Sequence, residues 1–191
     1  YNPVEVLRLL EPWEKFMVRG NHEDMLKRAS IDPDFLDICT KRYGRGLSVA
    51  LDTLTQDQLE YLSDLPSFLK LNFDGVCLHL AHGAPWDTDQ YIYPDAADSV
   101  WSTLASNGAD FIILGHTHYR LIRRIGETVV INPGSVGQPR DGRQGAAWAL
   151  IDTVSRRATL FAETYDVEKV KEEAKRIDPE LPYLHEIFNR K

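Results

Sequence analysis

Asp110-Phe111-Ile112-Ile113-Leu114-Gly115-His116-Thr117-His118 is the stretch that decides the fold of this 191-residue chain. Its first five positions form a largely apolar run, which is typical of a strand buried on both faces of a parallel sheet. Gly115 ends the run, and two histidines follow where the chain leaves the sheet. Turns of this kind present side chains to a cleft at the edge of an α/β sheet. The stretch therefore predicts an α/β fold with a chemically active edge.

Further strands are predicted on both sides of this run. Residues 68–73 and 76–81 flank Asp74-Gly75, a dipeptide that favours a tight hairpin turn. Strand-like patterns also occur at residues 15–19, 120–125, 128–132, 146–151 and 158–165. Because helical stretches are mixed with these strands, we expect sheets covered by helices in a layered α/β domain.

Capping residues predict where several helices begin and end. Pro3 and Pro33 each follow an N-cap residue, Asn2 and Asp32, and Gly44 ends the second of these helices near residue 43. Capping-box spacing at residues 55–58 opens another helix that ends before residue 66, and helices are also predicted at 96–106, 166–176 and 182–189. Residues 1–191 are expected to form a single domain with 166–191 as a C-terminal helical tail.

Composition limits the classes of partner. The chain is 43% hydrophobic, and a protein of this size buries roughly 70% of its unfolded surface, so it can form one substantial core. No apolar run approaches the roughly 20 residues of a membrane span. Cys39 and Cys77 have no metal-type spacing, which favours reduced thiols and a cytoplasmic location. The net charge of -7 predicts no long nucleic acid as a partner, because phosphate binding needs clustered cations.

The histidines indicate metal chemistry. Four of the six lie close to a glycine at an apparent strand end: His22, His82, His116 and His118. Histidine is the commonest transition-metal ligand, and a catalytic two-metal site needs several such donors. In an extended segment, the spacing of two between His116 and His118 would send both rings to the same side. His79, inside a strand, is expected to be structural, and His185 to lie on the surface.

A second motif, Gly20-Asn21-His22-Glu23, adds a different set of groups. Asn21 offers a neutral oxygen ligand and His22 a proton donor. Glu23 lies beside His22, where a carboxylate can orient the imidazole and raise its basicity. The motif therefore predicts a metal ligand and an acid catalyst close together.

These motifs, with Ala81-His82-Gly83 between them, resemble in type and order those of the calcineurin-like metallophosphoesterase family, specifically its small bacterial and archaeal phosphodiesterases. The resemblance implies an α/β/β/α sandwich of two mixed sheets flanked by helices. It assigns Asn21, His82 and His116 to one metal, His118 to the other, and His22 to the general acid near the scissile phosphate. Residues 131–135 are similar to a loop of these enzymes and are expected to brace the site.

The resemblance also implies the reaction. Two divalent ions, manganese first, with iron, zinc, nickel or magnesium as alternatives, would activate a bridging hydroxide that attacks a phosphodiester or phosphomonoester. Arg19 resembles an arginine that grips phosphate in the protein phosphatase branch; the alternative is an arginine exposed at a strand end. Arg120 is a weaker candidate for the same work. The substrate is expected to be small, and homo-oligomerisation stays open. Specificity is expected to depend on residues 30–65 and on residues 85–94, where Trp86, Tyr91 and Tyr93 either stack on a base or pack on the partner sheet.

One part of the family pattern does not occur in these 191 residues. The Asp-x-His and Gly-Asp-x-x-Asp turns supply the carboxylates of such sites, and the acids near the motifs are weak substitutes: Glu23, Asp24, Asp87 and Asp89. Tyr1-Asn2-Pro3 resembles the stretch that follows the second of these turns. We therefore expect a longer protein, several kilodaltons above 21.8 kDa, that includes the N-terminal strands; the alternative is a natural or engineered truncation that removes them. The alternative function is a non-catalytic protein-binding scaffold on the same fold.

Overall fold

The computed structural model describes residues 1–189, so the last two residues of the predicted tail lie outside it. Its helices are α1 (Pro3–Leu10), α2 (Asn21–Ala29), α3 (Pro33–Tyr43), α4 (Gly46–Thr53), α5 (Gln56–Ser63), α6 (Asp98–Ala105), α7 (Val167–Ile177) and α8 (Tyr183–Glu186), followed by a 3-10 turn at Ile187–Asn189. Its strands are β1 (Phe68–Phe73), β2 (Val76–Ala81), β3 (Phe111–Ile113), β4 (Leu121–Ile125), β5 (Thr128–Asn132), β6 (Ala146–Asp152) and β7 (Arg157–Glu163).

The larger sheet is mixed and has five strands in the order β1-β2-β3-β5-β4. Strands β2, β3 and β5 run parallel, whereas β1 and β4 pair antiparallel at the two edges. The β1–β2 hairpin turns at Asp74 and Gly75, whose φ angles of 53° and 78° are those of the predicted tight turn. Because the three parallel strands share one direction, their carboxyl ends meet at the same edge of the sheet.

Each face of this sheet is covered by a different layer. On one face, Trp101 and Leu104 of α6 pack with the buried Ile112 and Val130. On the other, buried residues of β2, β3 and β5 pack against inward residues of β6 and β7, which form a two-stranded antiparallel sheet. A helix on one face and a second sheet on the other confirm the layered α/β class with two sheets. Two mixed sheets were expected, but among the described residues the second sheet contains only the antiparallel pair β6–β7.

The N-terminal block is helical. Asn2 precedes α1 as predicted but makes no side-chain capping hydrogen bond, whereas the predicted caps at Asp32 and Thr55 are confirmed. The Asp32 side chain accepts a hydrogen bond from the Phe35 N–H at the start of α3, and Thr55 does the same for Gln58 in α5. The predicted strand at residues 15–19 is wrong: among residues 1–189, no strand pairs with it. A strand needs a partner's backbone groups, which the local pattern cannot supply.

None of the helices in residues 1–189 combines the length and the apolar character that crossing a bilayer requires.

Candidate active site

The sheet order brings the predicted motifs to one edge. His82 follows β2, the Gly115–His118 turn follows β3, and Asn132 ends β5. Helix α2 begins beside this edge and adds Asn21 and His22 from its first turn. Residues that are nearly a hundred positions apart in the chain therefore face one cleft.

Three donor atoms converge at the centre of this edge. The Nε2 atom of His82 lies 2.9 Å from Oδ1 of Asn21 and 3.0 Å from Nδ1 of His116. Ligands about 2.1 Å from one cation lie about 3 Å apart when their bonds meet at right angles, so these spacings fit a shared ion. No three His, Cys, Asp or Glu side chains within residues 1–189 form such a group, so the amide oxygen is an essential member here.

The close approach of the Gly20 backbone to the His82 ring makes this convergence feasible. A Cβ atom added at Gly20 would lie 2.7 Å from the His82 ring, a distance that side chains do not tolerate. Glycine at this position therefore allows Asn21 to approach His82. The Glu23 carboxylate accepts a hydrogen bond from the Gly20 N–H at 2.7 Å and so holds the first turn of the helix in place.

Backbone carbonyls orient the two histidines of the late motif. The Nδ1–H of His118 donates to the Gln138 carbonyl oxygen at 2.7 Å, which leaves Nε2 as the free donor atom for a metal. His116 has the other tautomer: its Nε2–H donates to the Asp89 carbonyl oxygen at 3.1 Å, which leaves Nδ1 free to bind a metal. Such contacts fix the tautomer and ring orientation of metal-binding histidines.

The prediction that His116 and His118 lie in an extended segment is wrong. Both have left-handed backbone conformations, with φ angles of 61° and 60°, which are uncommon for residues other than glycine. The buried Asn132 stabilises this turn by donating to the Gly115 carbonyl at 2.6 Å and to Oγ1 of Thr117 at 3.0 Å. The 131–135 segment thereby braces the site through a side chain that sequence spacing does not reveal.

Burial keeps the imidazoles of His82 and His118 neutral at pH 7. It lowers the pKa of His82 to about 4, with a smaller effect from the neighbouring His116. It likewise lowers the pKa of His118 to about 4, assisted by the positive charge of Arg140. The pKa of His22 is also lowered by burial, although the charge of Glu23 opposes this change. Neutral imidazoles bind a cation without first releasing a proton.

The carboxylates near the motifs make local contacts instead of completing the site. Asp24 pairs with Nε of Arg19 at 2.9 Å, and Asp87 accepts a hydrogen bond from the Asp89 N–H. Glu23 is engaged with the Gly20 N–H, as described above. Within the part of the chain that the structure describes, the donor set therefore fits one cation through neutral ligands and offers His118 to a second.

The two arginines considered as phosphate ligands are held by protein groups. Arg19 donates to the Leu65 carbonyl at 3.0 Å in addition to its contact with Asp24. Arg120 forms two hydrogen bonds with Asp141, at 2.7 and 2.9 Å, and its side chain is only 8% exposed. The Arg120 side chain therefore braces the loop and is unavailable to a ligand.

Arg140, which no sequence motif indicates, lines the cleft together with Asn21, His22 and His118. No motif or spacing marks it, because its place depends on how the loop after β5 folds back on His118. The aromatic segment was predicted to set specificity, and one of its members reaches the site. The Tyr91 ring lies 3.8 Å from the His116 ring, centroid to centroid.

Known proteins resemble this chain in sequence and in fold. The sequence model of the calcineurin-like phosphoesterase superfamily domain matches residues 2–156. Protein MJ0912 of Methanocaldococcus jannaschii is 27% identical over 188 residues, which cover 90% of this chain and 74% of that protein. Protein PH1004 of Pyrococcus horikoshii OT3 superimposes with a TM-score of 0.79 at 20% identity, covering 95% of this chain and 77% of that one. A metallophosphoesterase from Sphaerobacter thermophilus superimposes with a TM-score of 0.71 at 24% identity, covering 90% of this chain and 76% of that one.

The match to the family model extends over well more than half of the chain and includes all three histidine-bearing motifs. The solved structures, at under 25% identity, agree with it at the level of the fold. This chain therefore belongs to the calcineurin-like phosphoesterase superfamily.

Proposed function

We propose that this protein is a metal-dependent phosphoesterase that hydrolyses a small phosphodiester or phosphomonoester in the cytoplasm. The observation that carries the proposal is the convergence of three atoms: His82 Nε2 lies 2.9 Å from Asn21 Oδ1 and 3.0 Å from His116 Nδ1. These three atoms have the spacing of ligands that share one ion, and imidazole nitrogens and amide oxygens both bind divalent cations. The net charge of -7 favours a small substrate over a polyanionic polymer.

Two divalent ions are expected, with manganese first and iron, zinc, nickel or magnesium as alternatives. Asn21, His82 and His116 would hold one ion, and His118 would contribute to the other through Nε2. When bound, such ions neutralise phosphoryl oxygens and lower the pKa of a water molecule so that it serves as the nucleophile. The carbonyls of Gln138 and Asp89 keep the rings of His118 and His116 correctly oriented.

His22 is the proposed general acid. It is exposed to the same cleft as His118 and stands next to a metal ligand, Asn21, in the first turn of α2. Its role would be to hold a proton and pass it to the oxygen of the leaving group. Glu23 and Arg19 support it as positioning residues, Glu23 by closing the first turn and Arg19 by linking α2 to the Leu65 carbonyl.

Hydrolysis of bis(4-nitrophenyl) phosphate by the full-length protein, with each of the five divalent ions in turn, tests this proposal. We expect manganese-supported turnover that His116→Ala abolishes, because the variant loses one of the converging donors. His185→Ala, a histidine of the C-terminal helix α8, is the matched control and should keep wild-type activity. Inactivity of the wild-type protein with every ion and with 4-nitrophenyl phosphate would reject the enzyme.

The scaffold alternative has one supporting observation. The outer face of the β6–β7 sheet exposes Trp148, Leu150 and Phe161, with Trp148 stacked on Phe161 at 4.5 Å between ring centroids. Exposed apolar patches of this kind mark contact surfaces in some proteins. The converging donors have no role in a scaffold, so we rank the enzyme first.

A further inference from the structure

Arg140 occupies a distinctive position in the cleft. Its backbone N–H donates to the His118 carbonyl at 3.3 Å, which fixes the residue next to the late histidine motif. Its half-buried side chain lines the same cleft as Asn21 and His22, in a space of about 430 Å³. This space is large enough for a small phosphoester.

The Arg140 guanidinium has no carboxylate partner among residues 1–189. Its two hydrogen bonds, at 2.9 and 3.3 Å, both go to the neutral side-chain oxygen of Gln138. By contrast, Arg120 and Arg143 each pair with Asp141, at 2.7 and 3.4 Å. A half-buried cation with only an amide partner is poorly compensated, so this site favours an anionic ligand.

Arg140 places a positive charge at the edge that carries the histidine motifs. Its side chain lines the cleft together with His22 and His118. Bound cations would repel the Arg140 guanidinium, and a phosphate lying between them would relieve that repulsion. The planar fork of donors on arginine matches the oxygens of a phosphate group.

Gln138 links Arg140 to the metal side of the site. Its backbone carbonyl orients His118 at 2.7 Å, while its side chain holds the Arg140 guanidinium. Gln138 therefore holds both the His118 ring and the Arg140 guanidinium, which sets the spacing between them. We propose that Arg140 binds the non-bridging oxygens of the substrate phosphate and is the main determinant of anion affinity in this cleft. This inference rests on the proposed phosphoesterase function.

The test compares wild type, Arg140→Gln, Arg140→Lys and the matched control Arg143→Gln as full-length proteins with manganese. For each we would measure KM and kcat for bis(4-nitrophenyl) phosphate, the inhibition constant of inorganic phosphate, and the affinity for manganese. We expect Arg140→Gln to raise both KM and the inhibition constant of inorganic phosphate by about tenfold to a hundredfold, because the variant loses charged hydrogen bonds to the phosphate. Arg140→Lys should recover part of the affinity, Arg143→Gln should match wild type, and manganese affinity should stay unchanged throughout.

Calorimetric titration with inorganic phosphate separates this inference from the proposed function, because it needs no turnover. If the wild-type protein is inactive but Arg140→Gln still binds phosphate more weakly, the phosphate site stands and only the enzyme is rejected. Equal phosphate binding by Arg140→Gln and wild type would overturn the role of Arg140. A parallel loss of manganese affinity in Arg140→Gln would overturn it as well, since that result indicates a structural role through Gln138 and His118.

Discussion

His79 shows how a single buried residue can be coupled to pH without taking part in the site. It is 2% exposed in β2, its ring meets Phe68 edge-on, and its Nδ1 has no hydrogen-bond partner among the described residues. Burial lowers the pKa of His79, and the positive charge of Lys70, its partner in the β1–β2 register, adds to this effect. The folded protein therefore holds His79 neutral.

We predict that His79 makes the protein less stable as the pH falls. Below the ordinary histidine pKa of about 6.5, His79 is protonated in the unfolded chain but stays neutral in the folded chain. The free energy of unfolding therefore decreases as the pH falls. This contribution is fully present above pH 6.5. In urea unfolding, the free energy of unfolding of His79→Leu should therefore decrease less between pH 7.5 and pH 5 than that of the wild-type protein. Because the site histidines are shared by both proteins, identical slopes would contradict the prediction.

At the scale of elements, local chemistry was predictable, whereas features that depend on one distant partner were not always predictable. The β1–β2 turn at Asp74 and the caps at Asp32 and Thr55 depend on neighbouring residues only, and the sequence pattern identifies them correctly. The predicted strand at 15–19 failed because pairing needs a distant edge. The turn at 115–118 was assigned the wrong conformation because Asn132, fifteen or more residues away, decides it.

Asn132 offers a test of how much this turn matters to the metal donors. Asn132→Asp replaces the two donated hydrogen bonds by carboxylate oxygens facing the Gly115 carbonyl and the Thr117 hydroxyl. We expect the free energy of unfolding to fall by about 2–4 kcal/mol, because the carboxylate repels the Gly115 carbonyl oxygen and leaves it without its donor. Manganese affinity should also fall, because His116 and His118 lie in the turn that Asn132 holds.

Asn72→Asp is the matched control for that variant. Asn72 lies in the β1–β2 hairpin, is exposed, and uses its side-chain oxygen to accept a hydrogen bond from the Gly75 N–H at 3.2 Å. Aspartate keeps this acceptor, so stability and manganese affinity should stay close to wild type. Calorimetric titration of manganese gives the readout. Wild-type metal affinity in Asn132→Asp would show that the turn keeps its shape without the asparagine.

At the scale of the whole molecule, the site joins two parts of the fold that are otherwise separate in sequence. Asn21 belongs to the helical block, whereas His82 and His116 belong to the ends of sheet strands. Motif order predicted that these residues act together, because each motif follows its own element closely. The carbonyls that orient His116 and His118 could not be predicted, since Asp89 and Gln138 come from loops whose paths depend on tertiary packing.

A cation bound between these parts should stabilise the entire protein. Saturation at a hundred times the dissociation constant contributes about 2.7 kcal/mol, which corresponds to an increase in Tm of about 5–10 °C for a chain of this size. We therefore expect manganese to raise Tm by this amount and a chelator to reverse the change. His82→Ala should abolish the shift, because its Nε2 atom contacts both of the other donors. His185→Ala should retain the shift, and a full shift in His82→Ala would mean that the metal binds elsewhere.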